Sequence, residues 1–243
     1  MQALIAGAGQ GIGLALTKRL LSDERWTRIY ALYRSSSQGL SDLVVGDSRL
    51  QLLRVDLSSD DDLQALPQQL EVPIHWIINT TGLLHSKALN LAPEKSLEQL
   101  DRHSLITSFQ TNAINHLLLL KQLQPLLNKK GELKLASLSA RVASIGDNRL
   151  GGWYGYRASK AALNQLLHTL AIEMRRFNPS SVCVALHPGT TATDLSKPFQ
   201  KNVPAGQLFS ADQSAAYLLA VLDQLKSEAT GGFFAWDGQP IPW

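Results

Sequence analysis

Short apolar runs and longer stretches of helical apolar spacing alternate along the whole chain. The short runs are Ala3 to Ala6, Arg28 to Tyr33 (RIYALY), Leu50 to Val55, Ile74 to Ile78, Leu133 to Ser139, Ser181 to Leu186 and the closing GGFFAW, and each reads as a strand. Between them lie LALTKRLLSD, SSDDDLQALPQQL, a long stretch from Leu97 to Leu127, AALNQLLHTLAIEMRRF and SADQSAAYLLAVLDQLK. Their apolar positions recur at helical spacing. Ser58 or Ser59 is placed to cap the second of these helices, with aspartates in its first turn that suit the helix dipole. Strand and helix alternate without a composition break or linker. This predicts an α/β fold: one Rossmann-type doubly wound parallel sheet of about seven strands with helices on both faces, in a single domain over residues 1–243.

The polar positions that interrupt this pattern cluster after the strands. Gly7-Ala8-Gly9-Gln10-Gly11-Ile12-Gly13 follows the first strand and opens the first helix. In that context missing Cβ atoms admit a pyrophosphate to the backbone, and the helix N-terminus offers free N–H groups. The spacing is G-x-x-x-G-x-G, and the lysine of a nucleotide-triphosphate P-loop is absent. Arg34-Ser35-Ser36-Ser37 follows the second strand, where an acid would bond the 2′-hydroxyl of NAD and an arginine would accommodate the 2′-phosphate of NADP. No acid stands there, which favours NADP(H) over NAD(H). Asp56-Leu57 closes the third strand, at the sheet edge where an open α/β fold binds its ligand, and Asn79-Thr80-Thr81-Gly82 closes the fourth.

The stretch SLSARVASIGDNRLGGWYGYRASK, Ser137 to Lys160, leads from the fifth strand into a helix. Tyr156 and Lys160 stand at i and i+4, on one helical face. An ammonium beside a phenol lowers its pKa and makes it a better proton donor. Tyr154 has the wrong spacing and points elsewhere. Asn112 sits amid apolar residues in the long Leu97–Leu127 pattern, where asparagine is a mediocre helix former.

A formal charge of +3, carried by scattered basic residues, supplies no block or aromatic-interleaved stripe for nucleic acid. The single cysteine, Cys183, lies in an apolar run and reads as a buried structural thiol in a reducing compartment. The six histidines show no metal-ligand spacing, and no run has the length of a membrane span. The expectation is a metal-free cytoplasmic protein without a signal peptide.

Taken in order, these motifs resemble the short-chain dehydrogenase/reductase family from end to end. Gly7, Gly11 and Gly13 match its glycine turn, Asp56 its adenine-side acid, and Asn79-Thr80-Thr81-Gly82 its N-N-A-G motif. Asn112 matches its helix asparagine, Tyr156 and Lys160 its Y-x-x-x-K, and Pro188, Gly189 and Thr193 its P-G-x-x-x-T. SIGDNRLGGWYGYRASKAALN and the ending WDGQPIPW look most like the C-factor-type (C-signal-like) bacterial members and the sniffer-type carbonyl reductases. The resemblance implies Tyr156 as general acid/base, Lys160 as the group that lowers its pKa and bonds the nicotinamide ribose, and Asn112 as holder of a relay water. It also implies that Gly7, Gly9, Gln10, Gly11, Ile12 and Gly13 take the pyrophosphate. Arg34, Ser35, Asp56 and Leu57 would lie on the adenosine side, Asn79, Thr80, Thr81 and Gly82 near the ribose, and Pro188, Gly189, Thr191 and Thr193 by the carboxamide. Family members usually associate through the helices carrying Asn112 and Tyr156, so a homodimer or homotetramer is expected.

The chain departs from the family at the catalytic serine. Alignment on Ser144-Ile145 puts Ala140 at the second position of the S-S doublet and Ser139 at the first. Ser139 is the expected replacement, with Ser144 or no hydroxyl as the alternatives. The expected activity is NADP(H)-dependent interconversion of a small carbonyl or alcohol substrate; the alternative is a non-catalytic NADP-binding signalling or sensor protein. Leu83, Leu84 and His85, the segment 144–154 and the segment 195–209 are the expected pocket formers, with Leu150, Trp153 and Phe199 as apolar contacts and Ser196 to Phe209 as a lid.

Overall fold

The computed structural model is described over residues 1–243, the side chain of Asn202 excepted. In chain order the elements are β1 Gln2–Ala6, α1 Gly11–Leu21, β2 Arg28–Tyr33, α2 Gln38–Gly46, β3 Leu50–Arg54, α3 Asp60–Ala65, β4 Trp76–Asn79, α4 Arg102–Phe109 and α5 Asn115–Leu123. There follow β5 Leu133–Leu138, α6 Tyr154–Phe177, β6 Ser181–His187, β7 Thr190–Thr191, β8 Leu208–Phe209, α7 Ala211–Gln224 and β9 Phe233–Ala235. Seven strands form one parallel sheet in the order β3-β2-β1-β4-β5-β6-β9, and β7 pairs with β8 in a small separate ribbon. The expected doubly wound fold is therefore present.

Alternation along the strands builds two cores. Leu4 and Ala6 of β1 join a cluster with Leu163, Leu167 and Met174 of α6 and Leu119 and Leu123 of α5. Ala3 and Ile5 point to the other face, against Leu16 and Leu20 of α1 and Leu218 and Leu222 of α7. Sheets covered on both faces need near-continuous apolar strands, which explains the sequence pattern. The chain runs outward from β1 to β2 and β3, then returns to add β4 on the other side of β1. That reversal opens a crevice at the C-terminal ends of β1 and β4.

Three expectations are revised. The Leu97–Leu127 stretch is not one helix. Asp101 caps α4, its Oδ2 accepting from Ser104 N at 2.8 Å, and a π turn over Gln110–Ile114 separates α4 from α5. Pro125 sits in the closing 3₁₀ turn, where its missing N–H does no harm. Helix α2 forms in a segment the pattern left unassigned. Finally, Ile74 contributes only an isolated bridge to Leu127, so β4 starts at Trp76. Ser59 is the N-cap of α3, accepting from Asp62 N at 3.2 Å.

Candidate functional site

A cleft of about 1700 Å³ runs along the C-terminal ends of the strands. At one end the glycine turn packs where side chains do not fit. Gly7 has φ +80°, and a Cβ there would lie 2.6 Å from Thr80 Oγ1; a Cβ on Gly13 would lie 2.7 Å from the same oxygen and closer still to Gly7 O. Thr80 Oγ1 in turn donates to Ala6 O at 2.8 Å, tying β4 to the turn. Gln10 precedes α1 in an extended conformation and supplies no side-chain cap. The first-turn N–H groups of α1 are left to face the cleft, which Gly9, Gln10, Gly11 and Ile12 line. Backbone donors at a helix N-terminus in a dipole of this sign are suited to an anion.

Arg34, Ser35, Asp56 and Leu57 line the adjoining wall. Arg54 Nε holds this corner by donating to Arg34 O at 3.2 Å. Burial pushes the Asp56 carboxyl up, but bonds from Ser58 N (2.9 Å) and Ser58 Oγ (2.7 Å), with the Arg34 charge, outweigh it and leave the group below its ordinary value. The carboxylate is thereby pinned, and among the described residues no side-chain acid is bonded to the Arg34 guanidinium.

At the other end, α6 brings Tyr156 and Lys160 onto the same wall as Ser139. Lys160 Nζ donates to Leu138 O at 2.7 Å. Ser139 Oγ is buried with no hydrogen-bond partner, although its backbone N–H is anchored on Leu186 O at 2.8 Å. Ser144 lies off the cleft: its Oγ donates to Trp243 O at 3.4 Å and accepts from Asp147 N at 3.1 Å. Of these two serines, only Ser139 lines the cleft. The expected electrostatics are corrected. Burial pushes the Tyr156 phenol up to about 12 and brings the Lys160 ammonium down to about 7. Desolvation by burial is the cause in both groups.

Asn112 does not line the cleft. The π turn aims its side chain at the loop after β4, where Oδ1 accepts from Leu83 N at 2.7 Å and Nδ2 donates to Leu83 O at 2.8 Å and to Ser159 Oγ at 3.1 Å. Ser159 Oγ donates to Tyr156 O at 2.9 Å, so Asn112 braces the first turn of α6 against that loop. π turns of this kind recur at functional sites. Asn79 is also behind the wall: Oδ1 accepts from Thr81 N at 3.0 Å and Thr81 Oγ1 at 2.7 Å, and its buried Nδ2 has no partner. Thr80, Thr81 and Gly82 line the cleft in its place, as do Pro188, Gly189, Thr191 and Thr193. The Thr191 hydroxyl, however, is 2.7 Å from Ser214 Oγ and so engaged with α7.

Leu84, Trp153 and Phe199 line the cleft, whereas Leu150 is 92% exposed and off it, together with the rest of 144–152. Residues 145–151 loop outward over solvent. Two buried residues the sequence pattern does not single out bond to segments that line the cleft or carry Tyr156. His116, fully buried, lies 3.3 Å from Thr81 Oγ1 and 3.2 Å from Thr81 O through Nε2, and burial, aided by Lys160, holds it well below its usual pKa. It stands four residues after Asn112, a spacing that was visible. Glu94, 5% exposed, accepts from Gly155 N at the start of α6, and only the fold places it there. Among the described residues no three His, Cys, Asp or Glu side chains gather as a metal site, and no helix is long and apolar enough to cross a membrane.

The short chain dehydrogenase family model matches residues 1–204. The C-signal protein of Myxococcus xanthus is 32% identical over 171 residues, covering 70% of this chain and 93% of its own. The carbonyl reductase Sniffer of D. melanogaster superposes with a TM-score of 0.87 at 25% identity, over 100% of this chain and 99% of its own. The NADPH-bound carbonyl reductase from chicken fatty liver does so with a TM-score of 0.88 at 25% identity, over 100% and 94%. With its motifs standing at the crevice of this sheet and the match spanning most of its length, the chain belongs to the short-chain dehydrogenase/reductase family.

Proposed function

We propose that the protein is an NADP(H)-dependent carbonyl reductase, or alcohol dehydrogenase in the reverse direction, working as one unit over residues 1–243. The observation that carries this is a single cleft with an anion cradle and Arg34 at one end and Tyr156, Lys160 and the unpartnered Ser139 hydroxyl at the other. NADP fits the residues present. The glycine turn leaves room for a pyrophosphate, and Arg34 with Ser35 offers a cation and a hydroxyl for a 2′-phosphate. The carbonyl reductase from chicken fatty liver binds NADPH. Bound nicotinamide supplies the hydride.

The chain's own residues manage the proton and the geometry. Tyr156 donates its phenolic proton to the carbonyl oxygen as that oxygen becomes an alkoxide. Its high pKa keeps it protonated, hence competent as the acid, at neutral pH. Lys160 bonds Leu138 O with one N–H and keeps others for the ribose and for the phenolate that forms. Ser139 Oγ donates to the substrate oxygen, taking the place of the usual serine. Asn112 sets the height of the Tyr156 turn through Ser159. Thr193 closes on the glycine turn, its Cγ2 lying 3.2 Å from where a Gly11 Cβ would be. We place the enzyme in the cytoplasm, which suits the free, buried Cys183, and as a homodimer or homotetramer, which light scattering tests.

The test is NADPH consumption against a panel of aldehydes, ketones and quinones, with Tyr156→Phe and Ser139→Ala alongside. Turnover abolished by Tyr156→Phe is the expected result. Tight NADPH binding with no turnover of any carbonyl would replace this reading with the non-catalytic sensor.

A further inference from the structure

Three loops remote in sequence meet in an aromatic chain, His85–Phe199–Trp153, whose last ring lies against Tyr156. Trp153 ends the β5–α6 loop in a left-handed conformation, φ +52°, which a bulky residue rarely adopts. Its N–H donates to Glu94 O, and its carbonyl accepts from Arg157 N at 2.8 Å, so both sides of the residue are fixed. The result is that the indole stands edge-on to Tyr156, with ring centroids 6.3 Å apart at 77°. Phe199, from the turn Lys197–Asn202, closes on the indole at 4.9 Å and 58°. His85, from the loop after β4, meets the other side of Phe199 at 6.0 Å. His85 Nε2 is 3.2 Å from Asp194 O, at the base of the same segment. Leu84, Val142 and Leu195 are further apolar residues lining the cleft that Tyr156, Trp153 and Phe199 line.

This inference rests on the reductase reading and narrows its substrate. We propose that Trp153 and Phe199 form an aromatic slot that selects carbonyls borne on a flat unsaturated ring, that is, aryl aldehydes and aryl ketones. A ring entering between the two must sit about 4.5–7 Å from each by centroid. At 4.9 Å apart, indole and phenyl leave no such gap, so Phe199 has to move aside with its turn. That movement breaks the contacts of Phe199 with Trp153 and His85. An aromatic substrate re-forms ring-to-ring contact on both of its faces. A saturated ring of the same size restores apolar burial alone. The slot therefore discriminates by aromaticity rather than by volume.

The experiment compares kcat/KM for benzaldehyde and cyclohexanecarbaldehyde, with NADPH, in wild type, Phe199→Leu and Phe199→Tyr. Intrinsic reactivity differs between the two aldehydes but is common to all three proteins, so the ratio isolates the slot. The aryl-to-saturated ratio is expected to fall about tenfold in Phe199→Leu, the scale of an aromatic pair, and to hold within about twofold in Phe199→Tyr. A second readout needs no turnover. With NADP⁺ bound, 4-nitrobenzaldehyde, which the oxidised cofactor cannot reduce, is expected to quench tryptophan fluorescence saturably, and Trp153→Phe is expected to lose most of that quench. Both aldehydes turned over with an unchanged ratio in Phe199→Leu, or a quench indifferent to Trp153→Phe, would overturn the slot and leave the reductase standing. Neither aldehyde reduced by wild type while another carbonyl of the panel is turned over would likewise overturn the slot alone; no carbonyl reduced while NADPH binds would bring down the reductase reading, and the slot with it.

Discussion

The carboxylate of Glu94 accepts a hydrogen bond from Gly155 N at 3.1 Å, one residue before Tyr156, and no larger residue fits at Gly155, because a Cβ there would lie 2.9 Å from Glu94 Oε1. Helix α6 needs this, since Trp153 at its N-cap supplies no side-chain acceptor. Glu94 thus replaces the missing cap from a distant loop and holds the turn that carries the phenol. Glu94→Ala leaves a buried N–H unpaired and is expected to cost about 1–3 kcal/mol of stability. Turnover should fall with it, while NADPH affinity changes little. Glu94→Gln keeps the acceptor and should restore most of both. Thermal melts, NADPH titration and kcat measured on the same samples check this.

Arg34 decides the cofactor in our reading. Arg34→Asp should weaken NADPH about 10–100-fold, the scale of one or two charge-assisted bonds, and improve NADH. Fluorescence titration of both nucleotides reads it directly. Equal NADPH affinity in the variant would remove Arg34 from the site.

Lys160 makes the cofactor-free protein's stability depend on pH. Its folded pKa, about 7, lies below the ordinary 10.5, so between those values the unfolded chain binds more protons than the folded one. Stability from this group rises with pH across that window, by at most about 1.4 kcal/mol per pH unit. Tyr156 acts oppositely above pH 10, where the unfolded phenol ionises first and the folded one holds out to about 12. Lys160→Met should flatten the rise between pH 7 and 10, measured by denaturant midpoints in a pH series.

Gly13→Ala should both destabilise the protein and exclude the dinucleotide. Its Cβ would press on Thr80 Oγ1 and on the carbonyl of Gly7, which shapes the turn itself. Overpacking of this kind costs about 1–3 kcal/mol. A melt shift with unaltered NADPH affinity would show that the turn and the cofactor site are separate.

Ser139→Ala should lower kcat about 10²–10³-fold, the scale of losing one donor to a developing oxyanion. Ser144→Ala should leave kcat near wild type, because its hydroxyl is spent on Trp243 and Asp147. The reverse pattern would move the serine role to Ser144.

What the sequence by itself determined is the alternation of the seven sheet strands with most of their helices, the glycine turn, the Arg34 that follows β2 and the Tyr156–Lys160 face. Each rests on spacing within one element, where the 3.6-residue helix or the pleat dictates which neighbours share a face. Tertiary structure decided what depends on meetings between elements. Ser139 rather than Ser144 reaches the cleft because the loop after β5 turns outward at Arg141–Ala143 and carries Ser144 to the C-terminal Trp243. Asn112 faces Leu83 because a π turn, invisible in the apolar periodicity, re-aims it. Glu94 and His116 bond to the start of α6 and to Thr81 through contacts with partners far away in the chain. The ionisation of Tyr156 and Lys160 was misjudged for the same reason. Spacing shows that a phenol and an ammonium share a helix face, but only packing shows how little water reaches them, and here the loss of water sets both shifts.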